Sequence, residues 1–162
     1  YVYNDAFSKC LIQYKECYDE ALKDVFLHRI KAQLKRRYRG YTLCLMPSSK
    51  KKVEERGFHH LKEMYACLGM EMIEPFEKTG DHDQKGAGRK ERRFMEHGIR
   101  LKQDISLPDK LLLCDDTITT GSTLKGALHV LDLNRHHVEI YCVSANHTWV
   151  SNKKTMIPFV HR

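Results

Sequence analysis

The sequence contains no uninterrupted apolar run of the roughly 18 residues that a membrane-spanning helix requires. Its opening residues, YVYNDAFSKC, also lack the basic-then-apolar layout of a secretion signal, so the expectation is a cytoplasmic protein. Six cysteines, Cys10, Cys17, Cys44, Cys67, Cys114 and Cys142, include no C-x-x-C pair and are too sparse for a disulfide framework. Cys44, Cys114 and Cys142 fall inside apolar runs, where a small core residue is the ordinary role of cysteine. Ten histidines show no H-E-x-x-H or comparable ligand spacing. The adjacent pairs His59–His60 and His136–His137 are expected on different faces of their elements, so no structural zinc is expected. No internal repeat or low-complexity stretch is present.

What is present fits one α/β domain. The chain has 162 residues, 41% apolar and 30% charged, enough to bury a core without covalent staples. Its 28 basic and 21 acidic side chains leave a formal charge of +7, which favours an anionic partner. The run HRIKAQLKRRYR, residues 28–39, carries six of the basic residues and no acid.

Periodicity and punctuation supply a first outline. Asn4 or Asp5 can cap a helix to about Gln13, and Asp19 can open a second with Leu22, Val25, Phe26, Ile30 and Leu34 on its apolar face, stopped by Gly40. This helical part covers about residues 5–39, and a core follows at about 41–146. YTLCLM, residues 41–46, reads as a buried strand, with Pro47 and SSKKK as the loop behind it. Phe58, Leu61, Met64, Tyr65 and Leu68 outline a helix closed by Gly69. From Glu77 to Gly98 the pattern gives way to a glycine-punctuated surface loop with one short helix near residues 90–96. Lys110 to Cys114 is the clearest strand, a helix runs from Gly121 to about Leu133, and Val138 to Ala145 is another strand. An irregular tail occupies 147–162. Strands alternating with helices imply a mostly parallel, twisted sheet with helices on both faces.

The segment LLLCDDTITTGSTL, residues 111–124, carries the chemistry. An apolar strand ends in two carboxylates, and a loop rich in hydroxyls and glycine leads into a helix. Ligands of open α/β sheets bind beyond such strand ends, and a helix N-terminus offers unpaired N–H groups to a phosphate. Thr119, Thr120, Gly121, Ser122 and Thr123 can surround that phosphate, while Asp115 and Asp116 accept hydrogen bonds from vicinal sugar hydroxyls. The implied ligand is a sugar phosphate. A second segment, MPSSKKKVEERGF at 46–58, offers Ser48, Ser49, Lys50 and Arg56 behind a strand, a set suited to a pyrophosphate.

In order and spacing the 111–124 segment resembles the phosphoribosyl-pyrophosphate motif of type I phosphoribosyltransferases. That resemblance implies an acid pair, Asp115 and Asp116, on the ribose hydroxyls and a 5-phosphate loop from Thr117 to Thr123. It also implies a pyrophosphate loop at Ser48, Ser49, Lys50 and Arg56. Pro47, Arg56, Gly57 and Phe58, with QKGAGRKERR at 84–93, are similar to segments of one branch, the ComF (ComFC) proteins linked to DNA uptake. Against that family's pattern, His59 and His60 replace Asn and Gln, Ala87 a leucine and Met95 an asparagine. The cysteine-rich zinc module that often precedes such domains is not among these residues.

Two functions follow as expectations. In the first, the protein binds phosphoribosyl pyrophosphate with Mg2+, held mainly by ligand oxygens and water, and acts as a glycosyltransferase if catalysis is retained. Gln84, Lys85, Arg89, Arg92 and Arg93 of the glycine-punctuated loop then close over the leaving charge. Trp149 and Phe159 are the aromatic candidates for covering an acceptor ring. In the second, the fold serves as scaffold or ligand sensor in DNA uptake, with residues 28–39 on single-stranded DNA. Partners are then the sugar phosphate, single-stranded DNA or DNA-uptake proteins, and a second copy of the chain; no membrane insertion is expected.

Overall fold

A computed structural model describes residues 4–79, 98–146 and Trp149. Helix α1, Asp5–Glu16, starts where Asn4 accepts a hydrogen bond from Phe7 N through its side chain, and it continues three residues beyond the expected end at Gln13. The long second helix is replaced by two 3-10 turns, Glu20–Asp24 and His28–Ile30, and a short α2, Lys31–Arg37. No side chain caps any of these three starts. The apolar stripe also departs from one helical face: Phe26, Leu27 and Leu34 turn inward while Val25 is 54% exposed.

Strand β1, Thr42–Leu45, is buried at every position. The lysine run then begins a helix rather than prolonging a loop, because α3, Lys50–Arg56, opens directly after Ser49 and ends on Gly57 at φ +80°. Helix α4, His60–Ala66, buries Leu61, Met64 and Tyr65. Strand β2, Met72–Ile73, follows, and β3, Phe76–Lys78, whose last two residues fall in the expected loop, pairs antiparallel with β4, Ile99–Leu101, just beyond it. The short helix expected near 90–96 lies outside the described residues.

Strand β5, Lys110–Ile118, runs four residues past the expected end at Cys114. Its partner β6, His137–Ala145, explains this, since the parallel ladder continues through Asp115↔Cys142 and Thr117↔Ser144 to Ile118↔Ala145. Thr117 Oγ1 and Ser144 Oγ share a 2.9 Å hydrogen bond across it. Helix α5, Ser122–Val130, closes the motif and is three residues shorter than expected.

The main sheet has the order β2-β1-β5-β6, and all of its ladders are parallel. With helices packed on that sheet, the chain has the expected parallel α/β architecture. Leu43, Leu45, Leu111, Leu112, Leu113 and Val143 form the sheet's part of the core, packed with Leu61, Met64, Tyr65, Leu124 and Ala127. Each such buried large side chain contributes about 1.5–3 kcal/mol. From β1 the chain moves outward to β2 on one side, and from β5 to β6 on the other. The order therefore reverses between β1 and β5, the place where open α/β sheets hold their ligands.

Candidate functional site

The register of β1 against β5 opens the site. Leu45 is the last β1 residue paired with β5, opposite Cys114, and Met46 N adds one more hydrogen bond to Cys114 O at 3.0 Å. Beyond that point β1 departs into Pro47, Ser48 and Ser49 while β5 continues. The sheet loses its neighbour on one side just where Asp115 and Asp116 occur. Successive strand residues face opposite sides, so a carboxylate pair inside an intact sheet would be split between its two faces. At this open edge both acids instead line one cleft of about 260 Å³.

Ser48, Ser49, Arg56, Asp115, Asp116, Thr117 and Thr123, all expected from the sequence, line that cleft together. Lys50 does not: it lines a neighbouring cavity of about 710 Å³ bounded by Phe76, Glu77 and Arg100. Thr119, Thr120 and Ser122 form the exposed turn into α5, where Ser122 N donates to Thr120 Oγ1 at 3.3 Å. Gly121 sits at φ +72°, and a Cβ there would come within 2.9 Å of the Trp149 ring. Trp149 also donates its indole N–H to Thr119 O at 2.6 Å, so the aromatic residue expected over an acceptor rests on the turn into α5. Gln84, Lys85, Arg89, Arg92 and Arg93 lie outside the described residues, as does Phe159.

The acid pair is asymmetric. Asp116 Oδ2 accepts from Lys15 Nζ at 2.7 Å and meets His60 Nε2 at 2.9 Å. On its other nitrogen, Nδ1, His60 receives Arg56 Nη1 at 3.1 Å. A guanidinium can only donate, so Nδ1 is the unprotonated nitrogen and Nε2–H is the donor to Asp116. Arg56, itself only 6% exposed, also donates Nε–H to Lys15 O at 2.7 Å. Lys15, Asp116, His60 and Arg56 thus close a ring that joins α1, β5, α4 and α3.

Burial opposes ionisation of Asp116, but the His60 hydrogen bond and the Lys15 charge outweigh it and hold the carboxyl down at about 2. For Asp115 the Asp116 N–H and the charges of Lys15 and Lys78 act in the same sense but do not outweigh burial. Burial, reinforced by the Asp116 charge, pushes its carboxyl up to about 7. Burial also lowers the basicity of His60, against the pull of Asp116, which agrees with the neutral tautomer.

One oxygen of each acid remains for a ligand. Asp115 Oδ1 accepts from Asp116 N at 2.9 Å, and among the described residues no hydrogen bond reaches Asp115 Oδ2 or Asp116 Oδ1. Thr79 Oγ1 is the only buried side-chain polar atom without a partner among the described residues, so neither of these two oxygens is fully enclosed, and both acids line the cleft. Among the same residues no cluster of three or more acids, histidines or cysteines forms a metal cage. That donor set suits a hard cation completed by ligand oxygens and water.

Three cleft residues escaped the sequence reading. Lys15 belongs to α1, 101 positions before its partner, and no local pattern signals it. Lys78 comes from β3, within the segment read as loop. His60 stands out in the sequence only as a departure from the family pattern, and nothing local marks it as a contact of Asp116. Its ring stacks on that of His59 at 5.8 Å and 7°, while His59 caps α4 by accepting from Lys62 N and lines the neighbouring cavity rather than the cleft.

The chain is 29% identical over 132 residues to competence protein ComFC of Streptococcus pneumoniae (strain ATCC BAA-255 / R6), covering 82% of this chain and 60% of that protein. With competence protein ComFC of Bacillus subtilis (strain 168) the identity is 27% over 133 residues, 81% of this chain and 55% of that protein. The chain therefore spans less than two thirds of the length of either relative. No family model matches it. Two crystal structures of a hypoxanthine phosphoribosyltransferase from Staphylococcus aureus superpose at 15% identity with TM-scores of 0.49 and 0.46, over 80% and 76% of this chain and 66% and 62% of theirs.

Proposed function

We propose that this chain, a relative of the ComFC competence proteins with a phosphoribosyltransferase-like α/β fold, binds phosphoribosyl pyrophosphate together with Mg2+ in the cleft between β1 and β5. The observation that carries the reading is the convergence there of the serine pair 48–49 with the acid pair 115–116, Thr117 and Thr123, from two segments far apart in the sequence. Each part suits one part of the ligand. Asp115 Oδ2 and Asp116 Oδ1 are acceptors for the two ribose hydroxyls. The turn at 119–123, at the N-terminus of a nine-residue helix, offers N–H groups and hydroxyls to the 5-phosphate. Ser48, Ser49 and Lys78 face the pyrophosphate.

Mg2+, when bound, would neutralise pyrophosphate charge and favour its departure; it would be held mainly by ligand oxygens and water, with Asp115 and Asp116 orienting the sugar directly or through water. The chain's own residues orient the sugar. His60 and Lys15 fix Asp116, and Asp116 N fixes Asp115. Thermal unfolding tests the reading, because a ligand that binds only the folded state raises the melting temperature with concentration. Phosphoribosyl pyrophosphate with Mg2+ should raise it and free ribose should not; no rise at millimolar ligand overturns the reading. Release of pyrophosphate on presenting nucleobases and amines then decides whether the bound group is transferred.

A second reading has one observation behind it. Arg29, Lys35, Arg36, Arg37 and Arg39 are exposed, and of these only Arg37 has an ion pair among the described residues, at 3.8 Å from Glu139. An exposed cationic run of this kind suits a single-stranded DNA backbone.

A further inference from the structure

Helix α1 brings to the cleft a cation that belongs to neither motif. Lys15 Nζ lies 2.7 Å from Asp116 Oδ2, and its side chain is 24% exposed. The backbone beneath it is held from two sides. Arg56 Nε donates to Lys15 O, and the buried Tyr14 donates its hydroxyl to His60 O at 2.7 Å. Tyr14 is further wedged between Phe26 and Phe58, with ring centroids at 5.3 and 5.4 Å. Lys15 is therefore anchored in a packed frame, unlike a surface lysine that swings in solvent.

Its position and valence both leave it work to do. Lys15 lines the same cleft as the acid pair Asp115 and Asp116 and the serine pair Ser48 and Ser49. An ammonium carries three protons, and Asp116 takes one. His60 shares the same carboxylate oxygen, Oδ2, which leaves Oδ1 for the sugar. Lys15 thus does not compete with the ligand for Asp116.

We infer that Lys15 is a ligand-contacting residue of this cleft, its ammonium shared between Asp116 and a pyrophosphate oxygen of phosphoribosyl pyrophosphate. A tethered cation then joins the acid pair to the pyrophosphate loop. This inference rests on the ligand proposed above and adds a residue from outside both motifs.

The test compares two ligands that differ only in the pyrophosphate. Trp149, the single tryptophan of the chain, is bonded to Thr119 and reports binding at the phosphate turn by fluorescence. Phosphoribosyl pyrophosphate and ribose 5-phosphate are titrated, each with Mg2+, into the wild type, Lys15→Met and Lys15→Arg. Loss of a charge-assisted hydrogen bond should weaken phosphoribosyl pyrophosphate about tenfold or more in Lys15→Met. Ribose 5-phosphate should change by less than about twofold, because the bond it lacks has no affinity to lose. Lys15→Arg should recover most of the loss. Should Lys15→Met fail to fold by circular dichroism, Lys15→Gln goes through the same series with the same expectation.

Unchanged affinities, or equal weakening of both ligands, would show Lys15 to be only a counterion for Asp116 and overturn the inference while leaving the ligand assignment intact. A wild type that binds neither ligand removes the assignment itself, and the inference with it.

Discussion

His60 Nε2 donates to Asp116 Oδ2 across 2.9 Å, with the opposite ring nitrogen occupied by Arg56, so a histidine with a single allowed tautomer holds one half of the acid pair. Both side chains are only 8% exposed, which makes the bond costly to lose. In His60→Leu the folded state should lose about 1–3 kcal/mol by urea unfolding. His60→Gln keeps a donor and should lose less. Equal losses in the two variants would contradict a hydrogen-bonding role.

The unequal acids give stability a definite pH dependence. Asp115 is raised, so its contribution is complete below the ordinary carboxylate range and is lost as pH climbs towards about 7. Asp116 is depressed, so its contribution is complete above that range and is lost as pH falls towards about 2. Between pH 5 and 8 the melting temperature of the wild type should therefore fall, relative to Asp115→Asn, by at least about 2 °C. Parallel profiles would show that Asp115 does not titrate there.

Gly121→Ala is expected to be disruptive for two separable reasons. The residue sits at φ +72°, and the new methyl would press on Trp149 at 2.9 Å. Left-handed backbone costs a non-glycine residue about 1–3 kcal/mol. Tryptophan fluorescence should shift at the same time, since the ring must leave its place on Thr119. A stable variant with unchanged emission would place Trp149 elsewhere in solution.

The second reading has its own measurement. Arg36→Gln with Arg39→Gln should flatten the salt dependence of oligonucleotide binding by about one unit of slope for each lost phosphate contact. If the wild type binds no single-stranded oligonucleotide at low salt, that reading ends.

The legible parts of this chain are those in which chemistry is local. The strands at β1, β5 and β6, the turn at Gly121 and the alternation that implies a parallel sheet all follow from neighbouring residues. Asp115 and Asp116 stand out for the same reason. Where the sequence misled, a distant partner decided. Ile118 remains in a strand because Ala145 lies beside it, and Lys78 lies in a strand because Ile99 pairs with it. Residues 19–34 have helical periodicity but no caps, and packing divides them into short turns. Lys15 was illegible for the plainest reason, since nothing in its neighbourhood reveals a carboxylate 101 positions away.

Isothermal titration of phosphoribosyl pyrophosphate into the protein with Mg2+, repeated with the double variant Asp115→Asn, Asp116→Asn, tests the central claim most directly. The account predicts saturable heat in the wild type that requires Mg2+ and disappears in the double variant while its circular dichroism is unchanged. Heat of the same size in both proteins, or none in the wild type, would contradict it.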